Sequence, residues 1–203
     1  MKRALGVSVY PDHSDINQDK AYLKKASECG FTRIFMSMLE VTDGKEAVQK
    51  KFKELISYAK NLGFETILDV VPSIFDELEI SYDDLTFFSE LGADGIRLDT
   101  GFDGNKEAML TFNPFGVAIE LLNMSNDVAY LDNILTYEAN RPFLYGCHNF
   151  YPQAGTALPY DFFEKCSIRF KKEGIRTAAF ISSQVGEIGP WDVNDGLPTL
   201  EMH

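Results

Sequence analysis

Groups able to do acid–base or hydrogen-bonding chemistry recur in this sequence at one kind of place, the end of a short apolar run. The run ALGVSVY (4–10) ends in Ser8 and Tyr10, with Asp12 just beyond. RIFMSM (33–38) carries Ser37 and is followed by Glu40, ETILDVV (65–71) carries Asp69, and GIRLD (95–99) closes on Arg97 and Asp99. Glu120 and Asn123 end FGVAIELLN (115–123). His148, Asn149, Tyr151 and Gln153 crowd the end of PFLYGCHNF (142–150), and RTAAFIS (176–182) leads into a loop with Ser183, Gln184 and Glu187. Two carboxylates facing each other across a pocket are the apparatus of glycoside hydrolysis, one protonating the leaving oxygen while the other attacks or activates water. The carboxylate candidates, in order, are Asp69 and Asp99, then Glu40, Glu120 and Glu187. Amides, hydroxyls and aromatic rings nearby suit a ligand rich in hydroxyls, with Tyr10, Phe150 and Tyr151 as platforms.

Each residue also has a plainer reading. Asp69 and Asp99 could cap helices or bind loop amides. Glu120 could face the pocket or sit beneath a helix, and His148 could be a hydrogen-bonded structural residue. Arg97 and Asp99 are two apart, so on a strand they share a face and could pair with each other. No His/Asp/Glu group has metal-site spacing, no phosphate-binding loop or nucleophile elbow is present, and no cofactor is called for. The Schiff-base lysine that many barrel aldolases place at a strand end is missing as well.

The elements that must hold these groups are legible as alternation. Strands are expected at 4–10, 33–38, 65–71, 95–99, 115–123, 142–150 and 176–182. Helices are expected at 17–29, 45–62, 81–91, 104–111, 126–139 and 160–173, several closed by a glycine such as Gly30, Gly63, Gly92 or Gly174. Strands joined through helices run parallel, and near-continuous apolar strands fit a sheet covered on both faces. The first strand-to-helix turn lacks a glycine fingerprint for dinucleotides, and polar residues end strand after strand. Both features favour an α/β (β/α)8 TIM barrel over an open doubly wound sheet, because barrel sites are assembled at the strands' C-terminal ends. Seven strands are countable where a barrel needs eight, so the expectation is one barrel domain over 1–203, truncated after its seventh strand.

Composition narrows the partners. With 31 acidic and 19 basic residues, a formal net charge of -12 and 45% hydrophobic content, the chain reads as a globular domain that repels nucleic acid and anionic membranes. A local arginine or helix N-terminus can still hold a small anion. Three unpaired cysteines and an N-terminal run too short for a signal peptide point to a cytoplasmic location.

Beyond these readings, the segments LGVSVYPDHSD, LGADGIRLDTGF (91–102), HNFYPQAGTAL (148–158), AFISSQVGEIGP (179–190) and GLPTLEMH (196–203) together resemble the bacterial MupG-type family, 6-phospho-N-acetylmuramidases that have also carried an outer-surface label. The resemblance spans the chain in matching order, with Ala157 where a glycine is expected. It implies a TIM barrel followed by a small cyclophilin-like domain, with the eighth strand and that domain lying beyond this sequence. It also implies a cytoplasmic hydrolase of peptidoglycan recycling in the bacterial cell wall. Such an enzyme cleaves the β-1,4 bond of N-acetylmuramic acid 6-phosphate–N-acetylglucosamine. On that view Ser8, Tyr10, Asn123, His148, Asn149, Tyr151, Gln153 and Glu187 would contact the sugar. Arg97 would meet the 6-phosphate or the lactyl carboxylate, since its fork suits both. A non-catalytic carbohydrate-binding barrel and a sugar-phosphate isomerase or aldolase are the alternatives, and the oligomeric state, a homo-oligomer included, stays open.

Overall fold

A computed structural model of the chain describes residues 4–38, 44–81, 83–98, 101–122, 128–148 and 158–180. Among them seven strands form one sheet in the order of the chain: β1 (Gly6–Val9), β2 (Arg33–Met38), β3 (Glu65–Val70), β4 (Gly95–Leu98), β5 (Ala118–Leu121), β6 (Leu144–Cys147) and β7 (Arg176–Ala178). The pairings β1–β2, β2–β3, β3–β4 and β6–β7 are parallel. Helices fill the connections: α1 (Ile16–Glu28), α2 (Lys45–Asn61), α3 (Pro72–Glu77), α4 (Thr86–Leu91), α5 (Asn105–Leu110), α6 (Val128–Thr136) and α7 (Tyr160–Lys172). A strand order that never reverses, with a helix in every crossover, is singly wound. That is the α/β class of the (β/α)8 barrel rather than of the doubly wound sheet.

The chain parts into two compact units, residues 1–100 with 113–119 and residues 101–112 with 120–203. In the first, helices form where the sequence puts apolar residues three and four apart. Val48, Phe52, Leu55, Ile56 and Ala59 are the buried stripe of α2. Asp15 caps α1 by accepting the amides of Asn17 and Gln18, and Pro72 opens α3 at its first turn. Ile34, Met36, Leu68 and Ile96, side by side on β2, β3 and β4, are fully buried, each contributing about 1.5–3 kcal/mol by leaving water. The register is pinned from below. Asp94 accepts the Thr66 amide at 2.9 Å and its hydroxyl at 3.1 Å, while Lys60 Nζ donates to the other carboxylate oxygen at 3.0 Å.

Because parallel partners point the same way, the register also defines the opposite face. Ser8, Phe35, Ile67 and Gly95 make one row of it, and Ser37, Asp69 and Arg97 the next row toward the strands' C-terminal ends. Gly95 lets the strands pack tightly here, since a Cβ would lie 2.8 Å from Ile67 Cδ1 and 3.1 Å from the Ala118 carbonyl oxygen, and those neighbours would have to shift.

The structure redraws several expected boundaries. The helix expected at 81–91 begins only at Thr86, whose amide and hydroxyl both bond Asp84 Oδ1, while α3 occupies residues that the strand pattern left as a loop. Strand β5 starts at Ala118 rather than 115. Asn113 Oδ1 accepts the amides of Phe115 and Val117 and its Nδ2 donates to the Val117 carbonyl, which holds those residues in a turn. Strand β6 starts two residues late because Arg141–Phe143, with Pro142 inside, forms a 3-10 turn.

Candidate functional site

In the first unit, the last row of the inner face brings together two residues singled out by their chemistry. Arg97 Nε donates to Asp69 Oδ1 at 2.7 Å and Nη2 donates to Oδ2 at 2.9 Å, a fork-to-fork pair across neighbouring strands. Both are buried, Asp69 4% and Arg97 6% exposed. The guanidinium carbon lies 4.4 Å from the centroid of the Phe35 ring, so the cation is held by a carboxylate at its edge and an aromatic face beneath. Arg97 thus takes its carboxylate from β3, not from the residue two places along its own strand.

Ser37 completes the row on β2, in register with Asp69. It is 2% exposed, and its hydroxyl has no hydrogen-bond partner among the described residues. Tyr10 stands just past the end of β1. Its phenol is hydrogen-bonded to Ser8 and feels the charges of both Arg97 and Asp69. Burial raises its pKa, an effect the Ser8 bond and the arginine oppose. The chain after Tyr10 is fastened: Pro11–His13 form a 3-10 turn, and Lys51 Nζ from α2 donates to the Pro11 carbonyl. Ser8, Tyr10, Asp69 and Arg97 therefore sit in one neighbourhood. Ser37, read from the sequence as the polar end of the second strand, joins them, as does Phe35, which stands two positions before it on the same face.

Chemically, an aspartate with both oxygens bound to a guanidinium is fixed in orientation by it. Such a group can act as a base or nucleophile, or can orient the arginine.

In the second unit, Glu120 lies on β5, 1% exposed. His148 takes the structural reading. Its Nε2 is 3.0 Å from Ser167 Oγ on α7, and its ring lies 4.2 Å from that of Phe163 on the same helix. Burial lowers its pKa to about 4, so the imidazole is neutral at pH 7.

A carboxylate that the strand-end pattern passed over dominates this unit. Glu107, on α5, is fully buried; one oxygen accepts the Phe102 amide and the Tyr130 hydroxyl, and the other accepts the Gly104 amide at 2.8 Å. Burial and the adjacent carboxylate push the Tyr130 phenol above its ordinary range. Gly104, with φ of 87°, closes against Asn133, whose Nδ2 donates to the Asp103 carbonyl at 2.7 Å. The capping-box spacing from Gly104 to Glu107 was its only sequence signal.

Glu40, Asp99, Asn123, Asn149, Tyr151, Gln153 and Glu187 lie outside the described residues. No group of three or more His, Cys, Asp or Glu able to hold a metal occurs among the described residues, and no described helix is long and apolar enough to cross a membrane.

A family model described as 6-phospho-N-acetylmuramidase, N-terminal, matches residues 5–203. Among solved structures, a B. cereus protein described as uncharacterized is 56% identical with a TM-score of 0.85, over 99% of this chain and 54% of that one. A conserved Enterococcus faecalis protein described as having an unknown function is 23% identical, with a TM-score of 0.78 over 93% of this chain and 51% of that one. A Bordetella bronchiseptica protein described as a putative mandelate racemase, complexed with 2-oxoglutarate/phosphate, is 15% identical, with a TM-score of 0.59 over 88% and 45%. That match speaks for the fold alone. The chain spans about half the length of these structures. No curated protein matches it.

Proposed function

From the premise that the chain belongs to the 6-phospho-N-acetylmuramidase N-terminal family, we propose that it supplies the strand-end sugar site of a cytoplasmic glycosidase of peptidoglycan recycling. The bond cleaved is the β-1,4 linkage of N-acetylmuramic acid 6-phosphate–N-acetylglucosamine. The observation that carries this reading is the buried Asp69–Arg97 fork at the C-terminal ends of β3 and β4, with Tyr10, Ser8 and Phe35 around it. It is a charged, aromatic-floored, hydroxyl-bearing corner of the kind a phosphorylated amino sugar requires.

On this reading Asp69 serves as nucleophile, base or orienting group. The proton for the leaving oxygen comes from another carboxylate, among Asp99, Glu40, Glu120 and Glu187. Arg97 spends two of its five N–H donors on Asp69 and carries the positive charge that would meet the 6-phosphate or the lactyl carboxylate. The remaining polar strand-end residues, Asn123, Asn149, Tyr151 and Gln153, would hold sugar hydroxyls and the N-acetyl group.

One observation favours a second reading. Both Asp69 oxygens are engaged by Arg97, which also suits a barrel that binds the sugar without cleaving it.

Hydrolysis of the phosphorylated disaccharide beside its unphosphorylated twin, at the protein's natural full length, separates the two. Cleavage confined to the phosphorylated substrate is the expected result. Turnover of neither, with sugar binding that survives Asp69→Asn, would replace the glycosidase with the binding barrel. Turnover of monosaccharide phosphates would replace both with an isomerase or aldolase.

A further inference from the structure

The turn that carries the chain away from Tyr10 contains a hydrogen-bonding arrangement that its proton count does not satisfy as drawn. Ser14 Oγ lies 2.8 Å from the Tyr10 carbonyl oxygen and 2.8 Å from Asp19 Oδ2. A hydroxyl has one proton, and a carbonyl and a carboxylate can only accept. The two short contacts are both hydrogen bonds only when Asp19 brings a proton of its own. The carboxylic acid then donates to Ser14 Oγ, and Ser14 donates onward to the Tyr10 carbonyl. If Asp19 is ionised, the hydroxyl turns to the carboxylate, because a charge-assisted bond is the stronger one. Two oxygen lone pairs then face each other across the Ser14–Tyr10 gap. The Tyr10 carbonyl keeps the His13 amide, at 3.0 Å.

We propose that Ser14 and Asp19 are positioning residues for Tyr10, a proton on Asp19 deciding whether the Tyr10 carbonyl is tied to the start of α1. This rests on the reading of Tyr10 as a site residue, since its phenol is bonded to Ser8 and lies in the field of Arg97 and Asp69. Asp19 is 5% exposed although it stands in the first turn of α1, where an aspartate is normally solvated. Burial pushes its acid form up in pH. A Ser14 hydroxyl donating to the carboxylate and the charge of Lys51, from α2, oppose that shift, and Asp15, at the start of α1, adds to it. Lys51 also donates to the Pro11 carbonyl, the next carbonyl along from that of Tyr10. Of the turn's own titratable side chains, Asp12 is half-buried and His13 is exposed.

The sign follows from burial. The proton is retained above the ordinary carboxylate range, and the Ser14–Tyr10 link is lost as pH rises through the raised value. Asp19→Asn fixes the protonated arrangement permanently, its amide donating to Ser14 at every pH. Ser14→Ala removes the relay and leaves the carboxyl.

The test is a carbon-13 titration of the full-length protein, reading Asp19 Cγ and Tyr10 Cζ, the latter assigned through Tyr10→Phe. Both nuclei are expected to share one inflection above the ordinary carboxylate range. Asp19→Asn should abolish the Tyr10 inflection, and Ser14→Ala should abolish it while leaving Asp19 titrating. An Asp19 that titrates in or below the ordinary range overturns the proposal, as does a Tyr10 inflection that persists in Ser14→Ala. None of these readings requires turnover. A parent protein that cleaves no disaccharide would defeat the glycosidase reading and leave the positioning relay to be judged on its own.

Discussion

Asp69 and Arg97 were each legible as strand-end groups, but their union was not, because it depends on register. Sequence spacing placed Arg97 and Asp99 on one face of β4 and could not say that β3 is aligned so that residue 69 faces residue 97. The pair is buried, so its worth is asymmetric. Removing one partner strands the other charge in a low-dielectric site, at about 3–5 kcal/mol, whereas replacing both by apolar groups of similar size is often near neutral. Asp69→Asn is therefore expected to lower unfolding free energy by about that amount, and the double variant Asp69→Leu/Arg97→Met to recover most of it, as read by urea denaturation. A single-variant cost below about 1 kcal/mol would show the fork to be solvated and only loosely held.

His148 carried two readings, a member of a polar wall beside Asn149 and Tyr151 or a hydrogen-bonded structural residue; its ring is laid on Phe163 and its Nε2 on Ser167. Its folded pKa, about 4, lies below the ordinary 6.5, so the unfolded chain holds the proton more tightly. Its contribution to stability is complete above about pH 6.5 and is lost as pH falls toward about 4. The urea midpoint should decline across that window, and His148→Leu should flatten part of the decline while lowering the plateau. A decline unchanged in the variant would assign the acid sensitivity to other groups.

At the scale of elements, alternation was readable because every crossover buries an apolar helix stripe and every strand is bounded by glycine or a turn residue. What the pattern missed was decided by side chains bonding the backbone. Asn113 turned three residues out of β5, Asp84 delayed α4, and Pro72 opened a helix immediately after β3. Glu107 belongs to this class and was invisible to a search for polar strand ends, since it lies inside a helix and works on the loop before it. It holds residues 101–104 through two amides and α6 through Tyr130, and Gly101 leaves the room that Tyr130 fills. Glu107→Gln replaces one accepting oxygen by a donor that faces an N–H or O–H group, which should cost about 1–3 kcal/mol for each group left unsatisfied. Tyr130→Phe, which removes one donor and keeps the ring, should cost less. Amide exchange across residues 101–106 should quicken in both variants, and most in Glu107→Gln. Exchange that stays slow in Glu107→Gln would show the loop to be fixed by the Asn133–Asp103 bond instead.

For the whole molecule, two opposing tendencies can be separated by salt. The sheet order leaves β1 and β7 outermost, each with one pairing neighbour among the described residues. A parallel sheet is ordinarily paired and covered, and an unpaired edge is a template for association. Against this stands a formal net charge of -12, which keeps copies of the 203-residue chain apart. Charge repulsion is screened and backbone pairing is not. At about 1 M salt the screening length is only about 3 Å, too short for the net charge to act between molecules. The isolated chain is therefore expected to stay monodisperse at low ionic strength and to associate as salt rises, by light scattering. A protein of the longer relatives' length should stay monodisperse throughout, if the further chain covers those edges. An isolated chain that remains a monomer in high salt would mean that residues within its own 203 already cap β1 and β7. It would also mean that the strand-end site needs nothing beyond this chain to stand intact.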